Sequence, residues 1–301
     1  MRAALLRLNA AVFIWGFTGV LGRAITLNGA MLVWWRLFIT AVSLWVLFYF
    51  TRSITRIKFA DFLKIGLIGF VLAIHWVFFY SSIKQANVSI ALTCLSTTGL
   101  FSAIIEPVFF RRRINMQEVI LGLFALAGIT VIYLYNLHFS AGIYLGLISS
   151  VATVVASVLN KKIVSGYQPH TITLYQLTGG FLGLTLLMPL YNYFFPVPAF
   201  MPGGYDWLWL IILSWCCTIL TFILYISALK TVSAFTVNLL LTLEPVYGII
   251  LAFALYHENE QLHSNFYFGF ALICMAVLLQ MVRIAKQQRK TKRIIIVDAG
   301  Q

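Results

Sequence analysis

Ten long apolar runs limit what this chain can fold into more than any other feature of its sequence. Each run has about 20 residues, and a helix of that length crosses a hydrocarbon core of about 30 Å. Of the 301 residues, 61 % are hydrophobic and 10 % are charged, and no soluble domain of this size hides so much apolar surface. We therefore predict an all-α membrane protein with ten transmembrane helices. The runs are approximately 5–25, 30–50, 62–82, 88–110, 116–135, 142–162, 171–194, 205–229, 234–256 and 265–285.

The lysine and arginine residues predict how these runs cross the membrane. If both termini are cytoplasmic, all but three of the 21 basic residues fall on the cytoplasmic side. The exceptions are Arg23 and Lys84 outside and Arg36 within the second run. Cytoplasmic loops of membrane proteins carry such an excess, so we predict a multi-pass protein with both termini in the cytoplasm. The net charge of +13 then reflects topology, and we expect no nucleic-acid partner.

The two halves of the sequence resemble each other. After a shift of 146 residues, 80–84 falls on 226–230. A rival shift of 138 residues would superpose 106–108 on 244–246. We prefer the shift of 146 because it aligns the segments on both sides of this region. Each half then holds five runs, so the second half enters the membrane inverted, as in secondary transporters. The predicted units are a first repeat at 1–138, a second repeat at 139–285 and a basic cytoplasmic tail at 286–301.

Polar residues recur at helical spacing in eight of the ten runs. The fourth run carries Ser89, Thr93 and Thr97 on one face. The fifth and tenth runs are almost wholly apolar, so we predict that they lie outside while the other eight surround a central cavity. The alternative is that small polar residues at this spacing only mediate helix packing. The candidate substrate-binding residues are Trp15, Arg36, His75, Trp76, Phe79, Thr93, Thr97, Gln176, Trp215, Thr218, Phe222 and Asn238.

Ionisable groups at membrane depth are further candidates. Glu244 lies near the middle of the ninth run, where a carboxylate costs about 2.5–3.5 kcal/mol, and Pro245 after it removes a backbone N–H. We predict either a site facing the cavity or a protonated group that caps a neighbouring helix. His75 could carry a coupling proton or be a neutral core residue. Arg36 could hold a substrate carboxylate, tie helices together or snorkel to the surface.

No motif in the sequence supports catalysis. There is no Walker loop, HExxH, nucleophile elbow or dinucleotide fingerprint. The four cysteines lie in apolar runs without metal-ligand spacing, and we interpret them as small buried hydrophobes. We therefore predict that the protein is not an enzyme, has no catalytic residues and needs neither a cofactor nor a metal.

Two stretches of the chain resemble a known family. The segment LEPVY at 243–247, followed by His257, Glu258 and Gly269, is similar to the second-repeat motif of the EamA family in the drug/metabolite transporter superfamily. Trp15-Gly16 and Trp35-Arg36 resemble the start of its first repeat. The resemblance covers nearly the whole chain.

The resemblance implies a ten-helix inverted-repeat fold and export of small metabolites. It implies a cavity formed mainly by runs 1, 3, 4, 6, 8 and 9. The family usually has proline where Gly99 stands and glutamate where Arg112 stands. The resemblance therefore assigns the roles of these family residues only to Pro245 and Glu258 of the second repeat. We expect Glu258 to be a helix-end or gate contact and not a substrate ligand. The candidate coupling or gating residues are Glu244, Pro245, His75 and Glu258.

Our leading hypothesis is a secondary transporter of the bacterial inner membrane. It would export a small organic metabolite, an amino acid or a related compound, by alternating access. Its expected partners are that metabolite, membrane lipids and protons. The alternatives are a lipid-carrier flippase of the same superfamily and a membrane-embedded lipid-modifying enzyme.

Overall fold

The computed structural model describes residues 2–111, 113–163, 166–197, 199–222, 224 and 243–298, and these contain helices but no strand. Two short 3-10 turns, Leu137–Phe139 and Glu258–Glu260, lie between longer helices. The described helices are α1 (Arg2–Ala24), α2 (Gly29–Phe50), α3 (Phe59–Gln85), α4 (Val88–Leu95), α5 (Thr98–Phe109), α6 (Met116–Tyr135), α7 (Ser140–Ile163), α8 (Pro169–Phe194), α9 (Asp206–Ser214), α10 (Glu244–Tyr256) and α11 (Asn265–Asp298).

The described segments include seven helical spans that are long and apolar enough to cross a membrane. Three shorter apolar helices, Asp206–Leu220, Glu244–Tyr256 and Asn265–Leu279, accompany them. The protein is therefore a multi-pass membrane protein, as its apolar runs predict. The first seven predicted runs match these spans closely, and 116–135 coincides with α6. The start of the ninth run and the end of the eighth lie outside the described residues.

The fourth predicted run, 88–110, matches one apolar span, Val88–Phe109, but a turn interrupts the α-helix within it. It is divided into α4 and α5 at Ser96 and Thr97. The carbonyl of Cys94 accepts hydrogen bonds from Ser150 Oγ on α7 (2.7 Å) and from Thr97 Oγ1 (2.6 Å). Because hydroxyl groups that bind helix carbonyls compete with the backbone ladder, the helix is interrupted here.

The eighth run also departs from a regular α-helix. After α9, residues Trp215–Leu220 form π-helical turns. The hydroxyl of Thr218 donates to the carbonyl of Leu213 at 3.0 Å, five residues earlier. Such widened turns occur often at functional sites, and this one directs Thr218 towards α2.

The helices pack around α3, which lies along α7 and α8, while α1 packs on α10. At one edge α6 packs along α11, and Gly128 and Gly269 bring their backbones so close that a Cβ on either would lie 2.5 Å from the other's carbonyl oxygen. This edge pairing agrees with the expectation that runs 5 and 10 are peripheral. The helix of the tenth run continues beyond residue 285, because α11 extends to Asp298. The extension is rich in lysine, arginine and glutamine, which favour helix, and Gly300 is the first glycine after Gly269.

A cluster of four residues, which we call the latch, lies at one end of the bundle and consists of Arg23, Glu258, Val88 and Ser89. Glu258 is fully buried and forms a salt bridge with Arg23 at the end of α1. It also accepts hydrogen bonds from the N–H groups of Val88 (3.0 Å) and Ser89 (2.8 Å) and from Ser89 Oγ (2.6 Å). These donors form the first turn of α4, where a carboxylate is favoured by the helix dipole. The latch therefore joins α1, α4 and the end of α10.

Further contacts support the latch at the same end. The buried carboxylate of Asp206, in the first turn of α9, accepts hydrogen bonds from Thr26 N (2.8 Å) and Thr26 Oγ1 (2.5 Å). Lys84 Nζ donates to the carbonyls of Arg23 (3.3 Å) and Ile25 after α1. Three helices of the first half and two of the second are thus held together by paired polar groups.

Replacing Glu258 by glutamine should destabilise the protein strongly. The change leaves Arg23 without its carboxylate and removes an acceptor from the start of α4. Breaking a buried pair costs about 3–5 kcal/mol, and we expect the lower end of that range because Arg23 is 29 % exposed. Glu260→Gln, at an exposed position of the same short turn, is the matched control and should change stability little. Thermal unfolding of purified protein measures both. Equal melting temperatures for the two variants would contradict the role given to the latch.

Gly22→Ala should also destabilise the protein, because a Cβ on Gly22 would overlap the ring of Tyr80. Gly99→Ala is the matched control, since nothing lies within 4 Å of the position its Cβ would take. Alanine is favoured over glycine in helices by about 0.5–1 kcal/mol, so the control should melt at the wild-type temperature or above it. A Gly22→Ala protein that melts like the control would show that α1 and α3 do not pack this closely.

Candidate functional site

The centre of the candidate site is the buried guanidinium of Arg36, which is 3 % exposed. Its Nε and Nη2 donate to Thr218 Oγ1 at 3.1 and 2.9 Å, and its Nη1 donates to the hydroxyl of Tyr80 at 2.8 Å. The guanidinium carbon lies 4.1 Å from the centre of the Trp76 ring, which is a cation–π contact. Arg36 thus joins α2 to α3 and to the π-helical turns, and it does not snorkel.

These contacts leave part of the guanidinium unengaged. A guanidinium has five N–H groups, and the contacts with Thr218 and Tyr80 use three of them. One N–H on each Nη nitrogen has no partner among the residues that the structure describes. Among the residues that the structure describes, no carboxylate oxygen lies within 4.0 Å of Arg36. A buried charge without a close counter-charge is costly, so this arrangement favours an anionic ligand.

Glu244 and Pro245 lie at the start of α10, next to this cluster. The Glu244 side chain is half-buried and interacts electrostatically with Arg36 and Tyr80. It forms no hydrogen bond within the described part of the chain. Pro245 occupies the first turn of α10, where a proline costs no intrahelical hydrogen bond, and the Leu241 carbonyl that it was expected to free lies outside the described residues.

His75 ties α3 to α7. Its Nδ1 lies 2.9 Å from the carbonyl oxygen and 2.8 Å from the hydroxyl oxygen of Ser149, and that hydroxyl donates to the His75 carbonyl at 3.1 Å. The imidazole stacks on Phe79 with ring centres 6.2 Å apart. His75 also lies within electrostatic range of Arg36, as Glu244 does. The described residues show no direct contact between His75 and Glu244.

The other sequence candidates fall into two groups. Trp15 and Phe222 touch edge-to-face with ring centres 6.3 Å apart, and Trp15 lies on α1. Thr93 Oγ1 and Thr97 Oγ1 instead donate to carbonyls of their own segment, those of Ser89 and Cys94, both at 2.6 Å. The two threonines therefore bond to their own helix turns.

Three more candidates lie away from the guanidinium. Trp215 is 54 % exposed and donates to Ser43 Oγ at 3.0 Å, so it covers the outer surface of α2. Gln176 is buried where α8 crosses α3. Glu258 belongs to the latch, as a helix-end contact should, and Asn238 lies outside the described residues.

The structure adds two residues that were not among the sequence candidates. Tyr80 is fully buried beside Arg36, one helical turn after Trp76. Thr40 lies one turn after Arg36 on α2, is fully buried, and its hydroxyl has no partner among the residues the structure describes. The carbonyl of Arg36, which a helical threonine would ordinarily bind, accepts from Ser214 Oγ at 3.2 Å. Tyr80 follows the candidate Trp76 by four residues and Thr40 follows the candidate Arg36 by four residues, so both lie on the same helix face as a candidate. This spacing could have identified them from the sequence.

Comparison with known proteins gives a consistent result. A protein of Bacillus subtilis (strain 168) named an uncharacterized transporter is 23 % identical over 229 residues, which is 74 % of this chain and 71 % of that protein. Another so named, from Haemophilus influenzae, is 24 % identical over 280 residues, covering 84 % and 85 % of the two chains. A crystal structure of a protein with 16 % identity shares the fold, with a TM-score of 0.60 over 94 % of this chain and 99 % of the other.

The sequence profile of the EamA-like transporter family matches this chain twice, over residues 2–134 and 140–282. The two matches together span most of the described helices. The family and the transporter-named relatives point to a membrane transporter rather than an enzyme. The chain belongs to the EamA-like transporter family of the drug/metabolite transporter superfamily.

Proposed function

We propose that this transporter is a secondary exporter of a small carboxylate-bearing metabolite, an amino acid or a related compound. The observation that carries the proposal is the buried guanidinium of Arg36, which has two free N–H groups and no carboxylate within 4.0 Å in the described structure. Guanidinium groups bind carboxylates through paired N–H donors. The cation–π contact with Trp76 and the hydroxyl of Thr218 fix its orientation.

The proposed architecture is ten transmembrane helices in two inverted five-helix repeats. The two profile matches, at 2–134 and 140–282, support a duplicated chain. We assign residues 1–138 to the first repeat, 139–285 to the second and 286–301 to a basic cytoplasmic tail. The one-sided distribution of lysine and arginine supports a bacterial inner-membrane protein with both termini in the cytoplasm.

Alternating access is the mechanism that fits this arrangement. The latch closes the end of the bundle that we assign to the outside, and Arg36 lies on the other side of it, near the start of α10. At the opposite end, only Leu100 and Ala103 of the twelve residues of α5 are buried. Release to the outside would require the Arg23–Glu258 pair to separate while the contacts of α5 tighten.

Lipids and protons are the other proposed partners. The exposed apolar face of α6, which includes Leu123 and Phe124, is suited to contact with acyl chains. Glu244 and His75 both interact electrostatically with Arg36, so a proton taken up by either would change the charge that a substrate meets. This supports proton coupling through the same site.

Replacing Arg36 by glutamine should abolish most transport of a carboxylate substrate. Removing one partner of a buried charge-assisted pair costs 2 kcal/mol or more, which is about 30-fold in affinity. Lys64→Gln, at a largely exposed position, is the control and should leave transport unchanged. Uptake of labelled amino acids and related metabolites into proteoliposomes measures both. A folded wild-type protein that transports no amphiphilic metabolite would refute the proposal.

Glu244→Gln and His75→Ala should each flatten the dependence of transport rate on pH. The physical reason is that each change removes a titratable group close to Arg36. The rates are measured in proteoliposomes over about three pH units centred near neutrality, where an unperturbed histidine titrates. An unchanged pH profile in both variants would refute the proton coupling but not the transport.

A further inference from the structure

Two ion pairs lie at opposite ends of the fourth apolar span, Val88–Phe109. The latch holds the first turn of this span through Glu258. Near its last turn, Glu106 forms a salt bridge with Lys161 on α7. Glu106 follows Val88 by 18 residues, which correspond to about 27 Å of helix, so one ion pair lies near each end of the span.

The basic member of each pair occupies the same place in its half of the chain. Arg23 lies in the last turn of α1, and Lys161 lies in the last turn of α7. The two profile matches begin at residues 2 and 140, which are 138 residues apart, and Lys161 follows Arg23 by the same 138 residues. The first helices of the two halves thus align at a shift of 138, and the two bases are equivalent positions in them.

The acidic members come from corresponding parts of the two halves. Glu106 lies in the last turn of α5, and Glu258 follows the last residue of α10 by two positions. Each acid therefore lies at the end of the fourth apolar run of one half, and its partner lies at the end of the first helix of the other half. Both ion pairs join the two halves, with the roles of the halves exchanged.

The two pairs differ in their exposure to water. Glu258 is 0 % exposed and accepts from three donors on α4 in addition to Arg23. The side chains of Glu106 and Lys161 are 31 % and 55 % exposed, and in the described structure Lys161 is the one hydrogen-bond partner of the Glu106 carboxylate. Because water competes for exposed charges, separating Glu106 from Lys161 costs less free energy than separating the latch.

Two cation–π contacts accompany the exposed pair. Lys161 Nζ lies 5.4 Å from the centre of the Phe110 ring, and Lys162 Nζ lies 4.3 Å from the centre of the Phe109 ring. Lysine carries its charge on a flexible four-carbon stem, so such contacts persist over a range of helix tilts. The ends of α5 and α7 are therefore joined by side chains that tolerate a change in the distance between the two helices.

A third contact between the halves lies between the two ion pairs. Ser150 Oγ on α7 donates to the carbonyl of Cys94 at 2.7 Å, and a Cβ on Gly146 of α7 would lie 2.7 Å from the Cβ of Cys94. Along the fourth span, Cys94 follows Ser89 of the latch and precedes Glu106. Two halves that rock about such a contact separate at one end as they approach each other at the other end.

We infer that Glu106 and Lys161 form the inner gate of this transporter, the counterpart of the latch at the opposite end of the span. This inference rests on the alternating access proposed above and names the residues that close its second side. When the latch separates, the halves approach each other at the ends of α5 and α7, and the inner gate loses its exposure to water. When the latch is formed, as in this structure, the inner gate stays exposed and opens readily.

Hydrogen–deuterium exchange of the purified full-length protein in lipid nanodiscs tests the inference, because it follows backbone opening at each end and needs no substrate. Arg23→Gln removes the salt bridge of the latch but leaves Glu258 its donors on α4. We expect amide exchange to rise at the start of α4 and to fall by about twofold or more at the ends of α5 and α7. Arg7→Gln, at an exposed position of α1, is the matched control and should change neither end.

The inner gate is also tested by exchanging its charges. Glu106→Lys places two positive charges together, so it should raise amide exchange at the ends of α5 and α7 and lower it at the start of α4. Combining Glu106→Lys with Lys161→Glu restores opposite charges and should restore the wild-type exchange pattern. Lys64→Gln, which removes an exposed lysine paired with Asp61, is the control and should exchange like the wild type.

The outcomes separate this inference from the proposed function. If Arg23→Gln raises exchange at the start of α4 without lowering it at the ends of α5 and α7, the two pairs are not coupled gates, while transport through Arg36 still stands. If the reciprocal change appears but no carboxylate-bearing metabolite is transported, the gates stand and the proposed substrate class fails. If Arg23→Gln does not fold, the charge exchange decides, and a double variant that exchanges like Glu106→Lys alone overturns the inference.

Discussion

A permanently charged guanidinium, buried where α2, α3 and the segment after α9 meet, is the constraint on which the centre of this structure depends. Arg36 cannot release its proton, so its surroundings must supply acceptors at membrane depth. Thr218 can do so because the helix widens into π-helical turns at that point, and Tyr80 can do so because Gly22 leaves room for its ring. The π-helical turns and the glycine at position 22 therefore both allow a buried positive charge to have hydrogen-bond acceptors.

The long helices were predictable because membrane crossing depends on a property of each segment alone. A run of about 20 apolar residues forms a helix whatever its neighbours do, since no water is present to satisfy its backbone. The same argument selected Arg36, Trp76, Thr218 and Glu244, because polar or large aromatic groups at depth are costly unless they have partners. The structure places Trp76 and Thr218 in contact with Arg36.

What the sequence could not predict depends on contacts between helices. The division of the fourth run follows from the hydroxyl of Ser150 on α7, which no pattern within the run reveals. Thr93 and Thr97 have the spacing of a cavity-lining face but bond to their own backbone. Thr40 is also one helical turn from a polar neighbour, but within the described part of the chain its hydroxyl has no partner. Periodicity gives the face of a helix that a side chain occupies and not what that side chain meets there.

The interruption at Ser96 and Thr97 has a mechanical consequence. A continuous helix transmits a tilt along its whole length, whereas two short helices joined by a turn can tilt separately. The first of these helices, α4, is fixed by Glu258 at its first turn, and the second, α5, packs against α6 and α7. A single stretch of chain thus belongs to two bodies, and the joint between them is the turn at Ser96 and Thr97.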